Sequence, residues 1–350
     1  MSANGWFEAQ DPVLPAAQLP AALLDLAAQR GAAPDRLLAG TRLFYAELVR
    51  AGRPVAASQL ERMLGNARRL GLGDDFSFRL GHLAWPTAFG SAAAALGSAP
   101  DVHAAVRTLV RERALYAPFV HLRAVRTEEG LWVLCTDGIG WGASWPAVVE
   151  FLFGAFVATV RGLAARRPEW TFLFEYGAPA RPEQYHENLG PRLSFGAPVT
   201  AFLVPAGELG RPLRGASRTA FRLALAQCAR ERALRDPGPG FLEAVYLRVL
   251  GRERMILGQE AVAATFAMSP ATLKRRLRAH GERYQTVVDR ACLHATLYQL
   301  LLRGRGTEAV AARLGFSDPA NFRRAFRRWT GDGPRELVAR LRGQGVPVLR

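Results

Sequence analysis

The feature that most constrains this chain is a repeat near its carboxy terminus. Glu260-Ala-Val-Ala-Ala-Thr-Phe-Ala-Met-Ser269 returns 48 residues later as Glu308-Ala-Val-Ala-Ala-Arg-Leu-Gly-Phe-Ser317. The match continues past the serines. With one extra residue, Asp318, in the second copy, Leu273 aligns with Phe322, Leu277 with Phe326, and Lys274-Arg275 with Arg323-Arg324. A repeated pattern implies a repeated supersecondary unit. In each copy the spacing predicts a short helix, a tight turn, and a second helix that Ser269 or Ser317 caps by accepting from its free amides. Pro270 and Pro319 suit a first helical turn, where no amide donor is required. The small side chains of Ala263, Ala264, Ala311 and Ala312 are expected to let the two helices of each unit approach closely.

The second helix of each copy divides into two faces. Phe322, Phe326 and Trp329 fall at i, i+4 and i+7, leaving Arg323, Arg324, Arg327 and Arg328 opposite. In copy one, Leu273 and Leu277 point inward, with Lys274, Arg275 and Arg278 outward. A single basic helix is ordinarily just a solvated charged face. Two aligned copies sharing turn, apolar stripe and basic stripe point instead to duplex DNA. The charge distribution agrees: residues 240–350 hold 20 Lys+Arg against 9 Asp+Glu, and residues 1–239 hold 26 against 21. Neutralising phosphates releases condensed counterions, so a concentrated basic excess favours a polyanion partner. Residues 286–302 read as a helix joining the copies, ~25 Å long at ~1.5 Å per residue. Adding the helix widths, the two readers sit ~34 Å apart, one turn of B-DNA.

The strongest boundary is Asp236-Pro-Gly-Pro-Gly240, where two prolines and two glycines break any entering helix. The expected organisation is an effector-binding and dimerisation domain over 1–235, a linker over 236–240, and a DNA-binding domain over 241–342 with helix-turn-helix units at 258–280 and 306–329. Before the linker, helical spacing appears over 19–28, 35–51, 58–69 and 100–115. Strand alternation over 120–125 and 131–136 flanks a turn at Glu128-Glu129-Gly130. A helix over 145–166, a strand over 170–176, a short helix over 182–189 and strands over 192–195 and 199–204 follow. The fold class is therefore an α+β amino-terminal domain, helices then mixed sheet, plus an all-α carboxy-terminal domain with two helix-turn-helix units. The oily run 147–160 contains Glu150 and is too short to span a bilayer, so it reads as a buried helix and no membrane partner is expected.

Cys135, Cys228 and Cys292 are odd in number and widely spaced, which indicates neither a disulfide framework nor zinc and fits a reducing, cytoplasmic setting. Residues 1–10 lack a basic segment before an apolar one, against a secretory signal. Neither cofactor nor metal is expected. Gly142-Ala-Ser144-Trp-Pro146 lacks the second glycine of a nucleophile elbow, and His82, His103, His121 and His186 are scattered. Cys135, inside a predicted strand, reads as an inert thiol. An enzyme is thus disfavoured, and a nucleoid protein binding through charge alone is disfavoured by the paired readers. Trp85, Trp132, Trp141 and Trp145, with Phe151, Phe153 and Phe156, either line a small ligand pocket or form plain core.

Residues 311–331, with Gly333-Pro334-Arg335, closely resemble the most specific stretch of the AraC/XylS family of bacterial regulators, and Met268-Ser-Pro-Ala-Thr-Leu-Lys-Arg-Arg-Leu277 matches the first unit. The resemblance covers about 241–342. It implies transcription regulation, often activation, at promoter DNA beside RNA polymerase. Base contacts are implied for Ala271, Thr272 and Arg275 in one helix and for Ala320, Asn321 and Arg324 in the other. Two departures stand out. Ala291 occupies the linker-helix position four before Ala295 where a basic residue is common, with Arg290 one step away, and Pro319 and Asn321 stand where other residues are usual. The first 210 residues resemble the effector domain of the ornithine- and virulence-regulator branch through Pro54–Leu60, 89–106 and 185–212. That resemblance implies an unidentified small-molecule effector, a homodimer and no enzyme activity.

Overall fold

A computed structural model describes residues 5–164, 166–250, 257–301 and 303–343. The amino-terminal half is organised around the Trp145–Ala164 helix, apolar on nearly every side, with Phe153 and Phe156 fully buried. Its length and composition alone would suit a membrane, but 67% of its most apolar window is buried inside the protein. The buried-helix expectation for 147–160 therefore holds. The Phe76–Ala84 helix crosses it at backbone contact, where a Cβ on Gly81 would lie 2.4 Å from the Phe151 carbonyl oxygen. Only glycine permits that approach.

Helical spacing did not reveal Phe76–Ala84, where Phe76-Ser-Phe-Arg-Leu80 alternates as a strand would, or Ala92–Gly97, whose run of small residues carries no polar stripe. The continuous helix expected over 35–51 is instead two, Pro34–Leu38 and Tyr45–Ala51. Between them Gly40 and Arg42 adopt φ of 73° and 60°, left-handed conformations that no right-handed helix continues through. The helix expected over 100–115 starts at Val102, where Asp101 accepts from the Ala104 amide at 2.7 Å, and ends at Arg111 before a single 3-10 turn.

Five strands form one mixed sheet in the order Val120–Arg126, Gly130–Asp137, Thr200–Pro205, Thr171–Phe174, Leu193–Phe195. All neighbours are antiparallel except the last pair. Alternation sends Phe172, Phe202 and Phe174 inward against Phe153, while Trp132, Leu173, Ala201 and Leu203 face the other way. That second face is not open to water. It is covered by Leu293 and Leu297 and shares a core with Phe322 and Phe326 of the carboxy-terminal half.

The Arg218–Arg235 helix, capped by Ser217, stops at Asp236, and Phe241–Val249 begins after Gly240. The stretch between them is pinned. Phe7 donates its amide to the Pro239 carbonyl at 3.1 Å and accepts from the Phe241 amide at 2.8 Å. A Cβ on Gly240 would meet the Gly138 carbonyl oxygen at 2.3 Å, so the glycine here serves a tight passage more than a loose hinge. Trp6 follows into the carboxy-terminal core beside Phe241.

Candidate nucleic-acid interface

In the first reader the Gln259–Thr265 helix turns through Ala267 into Pro270–Ala279. Ser269 caps the second helix as expected, accepting from the Thr272 amide at 3.1 Å. Leu273 and Leu277 are fully buried against Val262, Ala263, Val245 and Val287. Ala271, Lys274, Arg275 and Arg278 are exposed and Thr272 is half-buried. The intervening Arg276 faces elsewhere: its guanidinium bonds Glu8 and lies 5.2 Å over the Trp6 ring.

The second reader repeats the plan with Thr307–Arg313, a turn at Gly315, and Pro319–Thr330. Its cap differs from expectation. Asp318, not Ser317, accepts from the Ala320 amide at 2.8 Å, because the inserted residue moves the helix start one position on. Of the four paired alanines, Ala263 and Ala311 are buried at the helix contacts, whereas Ala264 and Ala312 face solvent. Phe322 and Phe326 are fully buried, and Asn321, Arg323, Arg324, Arg327 and Arg328 are exposed with Ala320 half-buried. The Arg324 guanidinium donates to the Asn321 amide oxygen. Arg323, Arg327 and Arg335 line one surface concavity of about 540 Å³ with Thr307 and Glu336, and Arg327 is 3.3 Å from Glu336. A cluster of exposed guanidinium groups of this kind suits a phosphate.

The spacer is the Tyr284–Leu301 helix, starting two residues before the expected 286; position 302 lies outside the described residues. Arg290, one step from the usual basic position, bonds Glu282 at 2.8 Å. Burial works against its charge, but Glu282, Glu175 and Asp137 hold its pKa above the usual value. Asp137 and Glu175 belong to the amino-terminal sheet region, and Leu293 and Leu297 of the spacer pack in one core with that sheet's Trp132, Leu173 and Leu203, so the spacer is braced across the domain junction. Further ties are Glu243 to Arg113 and to His121 at 2.7 Å, and Arg123 over the Tyr298 ring at 4.8 Å. Asp137 itself accepts from the amides of Ile139, Gly140 and Trp141 at 2.9, 2.8 and 2.7 Å, yet burial still raises its pKa. Local pattern missed these junction residues. The one available signal was in the strand over 131–136, where the expected alternation is in fact an unbroken apolar run, Leu131-Trp-Val-Leu-Cys135, as in a strand buried on both faces.

Residues 31–213 match the arabinose-binding amino-terminal domain of AraC transcription regulators, and residues 262–340 match a helix-turn-helix domain. The chain belongs to the AraC family. It is 32% identical over 161 residues to the ornithine utilization regulator of Pseudomonas aeruginosa, 46% of this chain and 48% of that protein. It is 30% identical over 181 residues to the transcriptional regulator VirS of Mycobacterium tuberculosis, 48% and 49% of the two chains. The chain thus spans about half the length of the curated relatives it matches. The crystal structure of the regulator CdpR from Pseudomonas aeruginosa aligns over 90% of this chain and 96% of that one, with 23% identity and a TM-score of 0.45.

Within this AraC-family chain the four tryptophans do not gather in one pocket. Trp132 lies in the core shared with the second reader, on the opposite sheet face from the rest. Trp85 packs edge-on to Phe89 at 5.7 Å and Trp141 to Phe119 at 5.2 Å. The Trp145 indole donates to Glu175 at 2.7 Å. Phe151, Phe153 and Phe156 are core. Alternation along the strand, which sends neighbours to opposite faces, separates residues that composition alone would group. A cavity of about 490 Å³ lies elsewhere, lined by Arg68, Ser77, Glu150, Arg181 and Tyr185 among others. Among the described residues no group of His, Cys, Asp and Glu is placed to hold a metal.

Proposed function

We propose that this chain is a ligand-responsive transcription regulator that recognises promoter sequences by seating helices 270–280 and 318–329 in two successive major grooves. The observation that carries this is the duplicated geometry. Each reader buries the first two residues of its apolar stripe, Leu273 and Leu277 or Phe322 and Phe326, and presents exposed arginines, and one spacer helix joins the two. Tethering two modest readers makes the second contact intramolecular, which raises occupancy without new contacts. The bacterial relatives are named as regulators, in keeping with a cytoplasmic protein that binds DNA and catalyses no reaction. Self-association through the amino-terminal domain and contact with RNA polymerase belong to the same proposal. The Pseudomonas relative's name refers to ornithine utilization, which brings basic amino acids into the effector screen.

Genome-wide mapping of bound sites, followed by methylation protection at one of them, tests the proposal. Two clusters of protected guanine N7 atoms about one helical turn, ~10 bp, apart are expected. Uniform coverage of chromosomal DNA without discrete sites would favour a nucleoid protein instead.

A further inference from the structure

The cavity of about 490 Å³ sits between the Ala57–Arg69, Phe76–Ala84 and Trp145–Ala164 helices and the 179–185 segment. That volume is in the range of small-molecule sites. Its inner wall is polar and specific. The buried Tyr185 donates its hydroxyl to Glu150 at 2.5 Å, and Ser77 lines the same wall. Phe76 and Leu64 supply apolar sides. The mouth carries two exposed arginines: Arg181, held by Asp74 at 2.8 Å, and Arg68, whose charge acts on Glu150. Burial raises the Glu150 pKa despite these partners, so its charged form lacks a compensating cation at close range. DNA reading uses none of these groups.

We propose that this cavity is the effector site, and that it takes a zwitterionic small molecule of amino-acid type, its ammonium against Glu150 and its carboxylate against Arg68 and Arg181. The assignment rests on the ligand-responsive function above. A simple anion would meet the Glu150 carboxylate, a diamine would meet two guanidinium groups, and a neutral polyol would leave both charges unmatched. The same helix that carries Glu150 begins at Trp145, whose indole donates to Glu175 at 2.7 Å. Glu175 directly follows the strand whose Leu173 shares a core with Leu293 and Leu297 of the spacer between the readers, and it stands in the field of Arg290 on that spacer. Ligand-driven movement of this helix is thereby felt where the spacing of the readers is set, and Trp145 acts as a coupling residue outside the pocket.

Calorimetric titration of the full chain with the L-amino acids, 1,4-diaminobutane, succinate and L-arabinose is the test, with DNA affinity measured on the same preparation. At least one amino acid should bind saturably while the diamine, succinate and arabinose do not. Glu150→Gln, and independently the exposed Arg68→Gln, should each weaken that binding about ten- to a hundredfold through loss of a charge-assisted hydrogen bond. Trp145→Phe should leave the titration unchanged and diminish the ligand's effect on DNA affinity. Absence of amino-acid binding, preference for arabinose or succinate, or indifference to both Glu150→Gln and Arg68→Gln overturns the site. If site-selective DNA binding persists in that case, the regulator proposal stands and only the effector chemistry fails. An unchanged DNA response in Trp145→Phe overturns the coupling route.

Discussion

Arg328 on the second reading helix is bonded to Asp289 on the spacer helix at 2.9 Å. The pair ties reader to spacer, yet the arginine side chain is 61% exposed, and an exposed ion pair contributes ~0–1 kcal/mol. A DNA phosphate can therefore replace the aspartate. Asp289→Asn should raise affinity a few-fold for every duplex alike, while Arg328→Ala lowers affinity evenly and reduces the salt slope by about one. Titrations across a salt series measure both. A change in sequence preference in either variant would contradict a phosphate role.

Arg275 and Arg324 are exposed near the middle of their basic faces. An arginine there can donate twice to guanine O6 and N7, worth ~1–3 kcal/mol of discrimination. Arg275→Ala and Arg324→Ala should each relax preference at particular base pairs in a library of mutated sites. Because Arg324 is steadied by Asn321, Asn321→Ala should blunt preference at the same pairs. Uniform loss across the library would mean that the second helix is oriented otherwise.

Ala267 and Gly315 hold the same place in the two turns, with φ of 52° and 79°. A left-handed conformation costs an L-residue ~1–2 kcal/mol and glycine far less. Nothing lies within 4 Å of a Cβ at Gly315, so strain rather than crowding decides the outcome there. Ala267→Gly should stabilise the protein by up to ~1 kcal/mol and Gly315→Ala should destabilise it by a similar amount. Denaturant midpoints give the sign of each. A destabilised Ala267→Gly would show that the methyl group packs usefully.

His294 is buried 3.0 Å from the Tyr246 hydroxyl, and its pKa is lowered to about 3 by burial and by the charges of Arg290, His121 and Arg123. With the folded value below the unfolded value of 6.5, the unfolded chain takes up the proton first as pH falls. The stability tied to neutral His294 is complete above that unfolded value and declines below it, by at most ~1.4 kcal/mol per pH unit. Buried Asp137 and Glu112, whose values are raised, act in the opposite sense. The informative quantity is therefore a difference: His294→Gln should gain stability relative to the unaltered chain between pH 6.5 and 5. A difference independent of pH would contradict the assignment.

The readers are legible in the sequence because caps, turns and stripes are local and occur twice. Ser269 follows that rule, and Asp318 departs from it only through one inserted residue. The junction is less legible. Trp132 and Leu203 advertise a second buried face, but the residues that cover it, Leu293 and Leu297, lie far along the chain with no local mark of their partner. The cavity is harder still, since Arg68, Glu150 and Tyr185 come from three separate helices. Of the two readings open for the tryptophans, pocket or plain core, composition could not choose for the same reason: contact depends on face and register.

The most direct measurement of the central claim is the ratio of affinities of the full chain for a selected duplex and for random duplex, at one fixed salt concentration. Paired readers making base contacts in two grooves predict a preference of about a thousandfold or more. A ratio near one would show that the basic faces act through charge alone, and would contradict sequence-specific regulation.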